Sequence, residues 1–170
     1  KTVIGIPAFN EEENIAKIIT KLKKLSYSII VCNDGSSDMT GEIAEEMGVI
    51  VINHPKNLGY GSAIRSIFTK ASELNFDILV TFDSDGQHKT SDIKSVLKPI
   101  INQQADIVIG SRFSNDDSNE VPTYRKIGIK AITALANSTS DNKISDSQSG
   151  FRAYNKKILN QIIPSDTGMG

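Results

Sequence analysis

Asp83 and Asp85 stand one residue apart at the end of the apolar run Ile78-Leu79-Val80-Thr81-Phe82. In extended backbone their side chains share a face, so both can approach one hard cation. Carboxylates this close repel each other, and Mg²⁺ or Mn²⁺ bridging to a diphosphate would remove that cost. The plainer reading is a helix cap or a turn, because an isolated Asp-x-Asp matches often by chance. Asn33-Asp34-Gly35-Ser36-Ser37-Asp38 is ambiguous in the same way. It is either an ordinary strand-to-helix turn with good capping chemistry, or a site where Asp34 accepts hydrogen bonds from a base or ribose while Gly35 lets the backbone approach. Asn57-Leu58-Gly59-Tyr60-Gly61 could line a diphosphate or ribose, or simply give a flexible loop.

These groups need elements that bring them together. Short β-rich runs near 2–6, 28–32, 49–53, 77–82 and 106–110 alternate with stretches of helical period, the pattern of a parallel sheet covered by helices. Residues 11–25 place Ile15, Ile18, Ile19 and Leu22 on one face, and 59–74 do the same with Ile64, Ile67, Phe68 and Ala71. Helices over 38–47, capped by Asp38, and 91–103, capped by Thr90 or Ser91, complete the alternation. Beyond Gly110 the acidic stretch Ser114-Asn115-Asp116-Asp117-Ser118-Asn119-Glu120 reads as a mobile loop. A helix over 123–137, a strand over 149–154 and a short helix over 156–163 are expected after it. In open α/β sheets, ligands bind beyond the carboxyl ends of the strands. With strand order 3-2-1-4, the ends carrying Glu11, Asp34 and Asp83 meet at one edge.

Composition narrows the function. The 170 residues have the length of one domain, and 38% hydrophobic content is enough for a single core. Nineteen Lys and Arg against 20 acids leave no basic excess for a nucleic-acid backbone, so nucleic acid is not an expected partner. The single Cys32 lies in the apolar run 28–32, forms no internal disulfide and reads as a small core residue in a reducing compartment. No apolar stretch approaches the roughly 18 residues of a membrane span. The chain opens on a strand and closes on Thr167-Gly168-Met169-Gly170 without a helix stop, and we expect a piece of a longer protein, truncated at its C-terminus.

Taken in order, Ile6-Pro7-Ala8-Phe9-Asn10-Glu11, the Asn33–Asp38 and Asn57–Gly61 segments, Asp83-Ser84-Asp85-Gly86-Gln87-His88, Gly110-Ser111-Arg112-Phe113 and Ser149-Gly150-Phe151-Arg152-Ala153-Tyr154 resemble glycosyltransferase family 2. Within it the likeness is greatest to dolichol-phosphate mannosyltransferases and related polyprenyl-phosphate glycosyltransferases. The resemblance implies a Rossmann-like, GT-A type α/β fold with a mostly parallel sheet, its nucleotide-sugar half at 1–110 and its acceptor half at 111–170. It implies Pro7, Phe9 and Glu11 around the nucleotide base, and Asp34 with Gly35 at the base or ribose. Asp83, Asp85 and Gln87 fall at the Mg²⁺ or Mn²⁺ and diphosphate positions, with Ser84 between the two acids. Arg112 and Arg125 match arginines used for acceptor or donor phosphates, and Asp146 resembles an acid near the sugar.

The implied reaction is inverting transfer of a hexose from a GDP- or UDP-linked donor to a polyprenyl phosphate at the cytoplasmic face of a membrane. Such a phosphate is already anionic and needs positioning arginines; a sugar hydroxyl acceptor would need a carboxylate such as Asp146 to take its proton. Each site residue also has a bland reading. Arg112 could pair with the Asp116 and Asp117 loop, and Arg125 merely opens a helix, where a cation is mildly disfavoured. His88 follows the metal motif and reads as a ligand or, more plainly, as a cap or an outer neighbour of the metal site, and Arg152 and Tyr154 read as structural. Asn137-Ser138-Thr139 fits a glycosylation acceptor pattern that a cytoplasmic domain would not use. Three rivals remain: transfer to a glycan hydroxyl, a nucleotide-sugar-binding module without activity, and a haloacid-dehalogenase-like phosphohydrolase. The last is suggested by Asp83-Ser84-Asp85-Gly86, although Gln87 stands where that family's usual Thr would follow.

Overall fold

A computed structural model describes residues 1–83, 89–110 and 149–162. Six strands, β1 (Thr2–Ala8), β2 (Ser28–Asn33), β3 (Ile50–Asn53), β4 (Ile78–Thr81), β5 (Ile107–Ile109) and β6 (Arg152–Asn155), form one sheet of order β3-β2-β1-β4-β6-β5. The first four run parallel in the order expected, and β6 is antiparallel to both β4 and β5. The sequence pattern located the last strand but not its place between β4 and β5.

Helices α1 (Glu12–Lys23), α2 (Thr40–Glu46), α3 (Tyr60–Glu73), α4 (Ile93–Ile101) and α5 (Lys156–Ile162) cover the sheet. Strand residues alternate between two cores, because side chains point to opposite faces with period two. Ile4, Ile6, Ala8, Ile29, Val31, Val80 and Phe82 pack with α1 and α4 on one face. Val3, Ile30, Cys32 and Leu79 pack with α3 and Leu159 of α5 on the other. Each fully buried aliphatic side chain contributes about 1.5–3 kcal/mol. In α1 the buried face is Ile15, Ile18, Ile19 and Leu22, as its spacing requires, with Glu12 and Glu13 in the first turn and Lys21 and Lys23 in the last, matching the helix dipole. In α3, Ala63 joins Ile67, Phe68 and Ala71 in the buried stripe, while Ile64 is only partly buried.

The expected caps need correcting. Asp38 lies one residue before the N-cap of α2, Met39, and accepts the Thr40 N–H from there. Thr90 and Ser91 belong to a short 3₁₀ turn (Thr90–Asp92) ahead of α4, and neither makes a side-chain cap bond to that helix. The expected 114–120 loop and 123–137 helix lie outside the described residues.

Register decides which residues leave the sheet together. Ala8 pairs with Asn33 across β1 and β2, and Gly5 pairs with Thr81 across β1 and β4. Phe9 and Asp34 therefore emerge at one level, with Asp83 two residues past the end of β4. No described helix is long and apolar enough to cross a membrane.

Candidate active site

The loops after β1 and β2 are sewn to each other by side chains. The Asn10 side-chain carbonyl accepts the Ser37 N–H at 2.9 Å, and the Asn10 N–H donates to the Ser36 hydroxyl at 3.0 Å. The buried Thr40 hydroxyl accepts the Glu11 N–H and donates to Asp38, whose other carboxylate oxygen accepts the Glu12 N–H. Much of the polar chemistry in Asn33–Asp38 therefore goes into fixing the loop that carries Phe9 and Glu11.

Between these loops and Asp83 opens a cavity of about 590 Å³. Pro7, Phe9, Glu11, Asp34 and Asp83 line it, brought together from three strand ends as the order 3-2-1-4 requires, and Tyr60, Gly150 and Arg152 close it. Phe9 is 45% exposed, so its ring offers a free apolar face to a ligand. Gly35 is not among the lining residues. Its φ of +69° and the Lys56–Asn57 backbone, which leaves no room for a Cβ, account for the glycine within the protein itself. Ser84, Asp85, Gln87, His88, Arg112, Arg125 and Asp146 lie outside the described residues.

Asp34 is buried, at 3% exposure. Its Oδ1 accepts from His54 Nδ1 at 2.6 Å and from the Leu58 N–H at 3.0 Å, and its Oδ2 accepts the Gly59 N–H at 2.8 Å. A carboxylate has about four lone-pair positions, so Oδ2 retains one for a ligand donor. Burial pushes the Asp34 pKa up, but the hydrogen bonds from His54, Leu58 and Gly59 outweigh it and hold the value below the usual carboxylate range. The neighbouring Cys32 thiol is pushed up to about 12 by burial and then by the Asp34 charge, which makes it inert.

A depressed folded-state pKa adds stability that is complete above the unfolded value, about 3.9, and disappears as pH falls through the folded one. The urea midpoint should therefore drop on acidification below about pH 4, and drop less in Asp34→Asn, which has no such group to protonate. Parallel acid limbs in the two proteins would show that Asp34 is not a stabilising carboxylate.

Asp83 is placed by two groups that the sequence reading did not single out for it. The Tyr60 hydroxyl, at the start of α3, donates to Asp83 Oδ1 at 3.2 Å. Desolvation and then the Asp83 charge raise the pKa of that hydroxyl, so it remains a donor at neutral pH. Gly150 lies against the same carboxylate, and a Cβ there would overlap both Asp83 oxygens and the Tyr60 hydroxyl. The Thr81 hydroxyl fixes this glycine by donating to its carbonyl at 2.6 Å. Arg152, whose Nε–H donates to the Ser149 carbonyl at 2.8 Å, is the one basic residue among the described lining residues. Tyr60 and Gly150 were inside recognised motifs, but the partner that gives each its role is 23 or more residues away.

The arrangement suits an anion held through a hard cation. Asp83 presents carboxylate oxygen to the cavity, the donor type that Mg²⁺ and Mn²⁺ prefer, and an exposed ring and an arginine line the same cavity.

A family model described as glycosyl transferase family 2 matches residues 3–163. The UDP-N-acetylglucosamine–dolichyl-phosphate N-acetylglucosaminyltransferase of Methanococcus voltae is 37% identical over 173 residues, covering 91% of this chain and 69% of that protein. A dolichol-phosphate mannosyltransferase of Pyrococcus furiosus is 33% identical over 173 residues, covering 95% of this chain and 48% of its own length. Among solved structures, glucosyl-3-phosphoglycerate synthase of Mycobacterium tuberculosis, in complex with Mn²⁺, UDP-glucose and phosphoglyceric acid, superposes with a TM-score of 0.71. At 21% identity, with 93% of this chain and 57% of that one covered, this likeness concerns the fold.

Proposed function

Because this chain belongs to glycosyl transferase family 2 and has the GT-A type fold of its neighbours, we propose that it transfers a hexose from a nucleotide diphosphate sugar to a polyprenyl phosphate, with inversion. Membership in a glycosyltransferase family removes the phosphohydrolase alternative. The observation that supports the finer reading is the single cavity joining Phe9, Glu11 and Asp34 to Asp83 and Arg152. The relatives from Methanococcus voltae and Pyrococcus furiosus, both named for dolichyl phosphate, support the acceptor class.

In this reading the Phe9 ring and Pro7 pack on the base, and Glu11 and the open lone pair of Asp34 Oδ2 take nucleoside donors. Asp83, with Asp85 and Gln87, holds Mg²⁺ or Mn²⁺. A cation held there would supply neutralisation of the charge growing on the departing diphosphate. Tyr60 keeps the Asp83 carboxylate turned into the cavity, and Arg152 faces the phosphates. Residues 1–110 supply the donor half and 111–170 the acceptor half, where Arg112 and Arg125 hold the lipid phosphate in line with the anomeric carbon. The acceptor places the work at a membrane surface, on the cytoplasmic side where nucleotide sugars are made.

The acceptor is tested on the full-length protein with polyprenyl phosphate and simple sugars in competition. Loss of Arg112 or Arg125 is expected to raise the acceptor KM and slow transfer, since charge-assisted bonds position the nucleophile. Asp146→Asn should matter little. Transfer to a sugar hydroxyl that survives both arginine-to-alanine changes but falls roughly 10²–10⁴-fold in Asp146→Asn would replace lipid phosphate by a hydroxyl acceptor.

A further inference from the structure

His54 follows β3 in a segment that carries no catalytic motif, yet its ring is nearly enclosed, with 9% of the side chain exposed. Both nitrogens are engaged. Nδ1 is 2.6 Å from Asp34 Oδ1, and Nε2 is 2.8 Å from the Ser66 hydroxyl and 3.6 Å from Cys32 Sγ. An ionised carboxylate only accepts, so Nδ1 must carry the proton that lies between them. In the neutral ring Nε2 is then an acceptor, and the hydroxyl of Ser66, a half-buried residue of α3, donates to it.

The consequence extends past Asp34. The carboxylate oriented by His54 also receives the Leu58 and Gly59 N–H groups, the last amides before α3 begins at Tyr60. Ser66 belongs to the same helix, so His54 touches α3 through Ser66 and the turn ahead of α3 through Asp34. Tyr60, the first residue of that helix, delivers its hydroxyl to Asp83. A continuous series of hydrogen bonds and covalent links thus runs from His54 to the carboxylate at the opposite wall of the cavity.

We infer that His54 is a positioning residue: clamped between Ser66 and Asp34, it locks the Asp34 carboxylate onto the Leu58 and Gly59 amides and so sets where Tyr60 meets Asp83. For its kinetic consequence this rests on the cavity being the donor site; the structural part stands without it. Without His54, Asp34 would be a buried acceptor held only by the Leu58 and Gly59 amides. The imidazole, braced from behind, leaves it one orientation.

The test compares His54→Leu, which removes the donor, with His54→Asn, whose side-chain amide offers an N–H near the place of Nδ1. In His54→Leu, amide hydrogen exchange at Leu58 and Gly59 should quicken about tenfold, the effect of losing one net hydrogen bond from the turn. The donor KM should rise by about the same factor with a smaller change in kcat. His54→Asn should restore most of both. Unchanged exchange at Leu58 and Gly59 in His54→Leu, or equal impairment of the two variants, would overturn the inference. A loss of melting temperature with KM and local exchange intact would do so too, since it marks a merely structural ring. Should His54→Leu fail to fold, nitrogen-15 spectra of the unaltered protein carry the test: a proton on Nδ1 is expected, and a ring protonated on Nε2 alone sinks the proposal. If the unaltered protein binds neither UDP nor GDP in Mn²⁺, the donor-site reading fails, and the exchange measurements still decide the role of His54.

Discussion

Asp83→Asn is expected to lower transfer by about 10²–10³-fold while leaving the fold intact, the effect of removing one preorganised group that stabilises charge in the transition state. The side chain sits just past β4, whose residues Leu79, Val80 and Thr81 are buried, so an isosteric change at Asp83 leaves the strand's packing alone. What changes is charge. The Tyr60 hydroxyl can still donate to an amide oxygen, but a neutral amide holds a divalent cation far less well than a carboxylate does. Calorimetry with UDP and GDP, in Mn²⁺ and in chelator, should show tight metal-dependent binding by the unaltered protein and weak, metal-independent binding by the variant. Asp85→Asn is expected to behave the same way if both acids hold one ion. Equal nucleotide affinity in Mn²⁺ and in chelator for the unaltered protein would count against metal-dependent transfer at this site.

The pattern of what could be read from sequence has a physical basis. Local period recovers β1 to β4 and the buried face of α1, because a strand or helix face is written within about a dozen residues. Strand order then follows, and with it the meeting of Glu11, Asp34 and Asp83 at one edge. The insertion of β6 between β4 and β5 was not legible, since Thr81 and Arg152 become neighbours across 71 residues of chain. Asp34 was recognised as important, but its partners come from residues 54, 58 and 59, and no local pattern announces that its carboxylate is mostly engaged inside the protein. Propensity makes Asp38 an N-cap, whereas the tertiary demand of the Glu12 N–H draws one of its oxygens across to α1. The turn chemistry around Gly35 suggests close approach of a ligand, and the segment that does approach it is the Lys56–Asn57 backbone. In each case the element was legible, and its long-range partner was not.

Gly150→Ala should reproduce much of the Asp83→Asn defect without touching an acid. The added methyl would occupy the space of the Asp83 carboxylate and the Tyr60 hydroxyl, and the Thr81 hydroxyl on the Gly150 carbonyl prevents the backbone from simply backing away. Something must move, and the carboxylate, at the end of a rotatable side chain, is the part that yields before the backbone. Overpacking of this kind costs about 1–3 kcal/mol of stability. Turning Asp83 out of line should cost more in turnover, on the order of 10²-fold, because a misplacement of about 1 Å at a reacting centre has that effect. Tyr60→Phe separates the two contributions. Removing the hydroxyl takes away one of the atoms the added methyl would overlap, so Gly150→Ala combined with Tyr60→Phe should lose less turnover than the product of the single losses, the signature of residues competing for one space. Turnover and thermal unfolding of the four proteins complete the cycle. A Gly150→Ala variant with unaltered turnover and metal-dependent nucleotide binding would show that the position of Asp83 relative to Gly150 does not govern catalysis. Strictly multiplicative losses would show that Tyr60 and Gly150 act on different groups, contrary to their shared contact with Asp83.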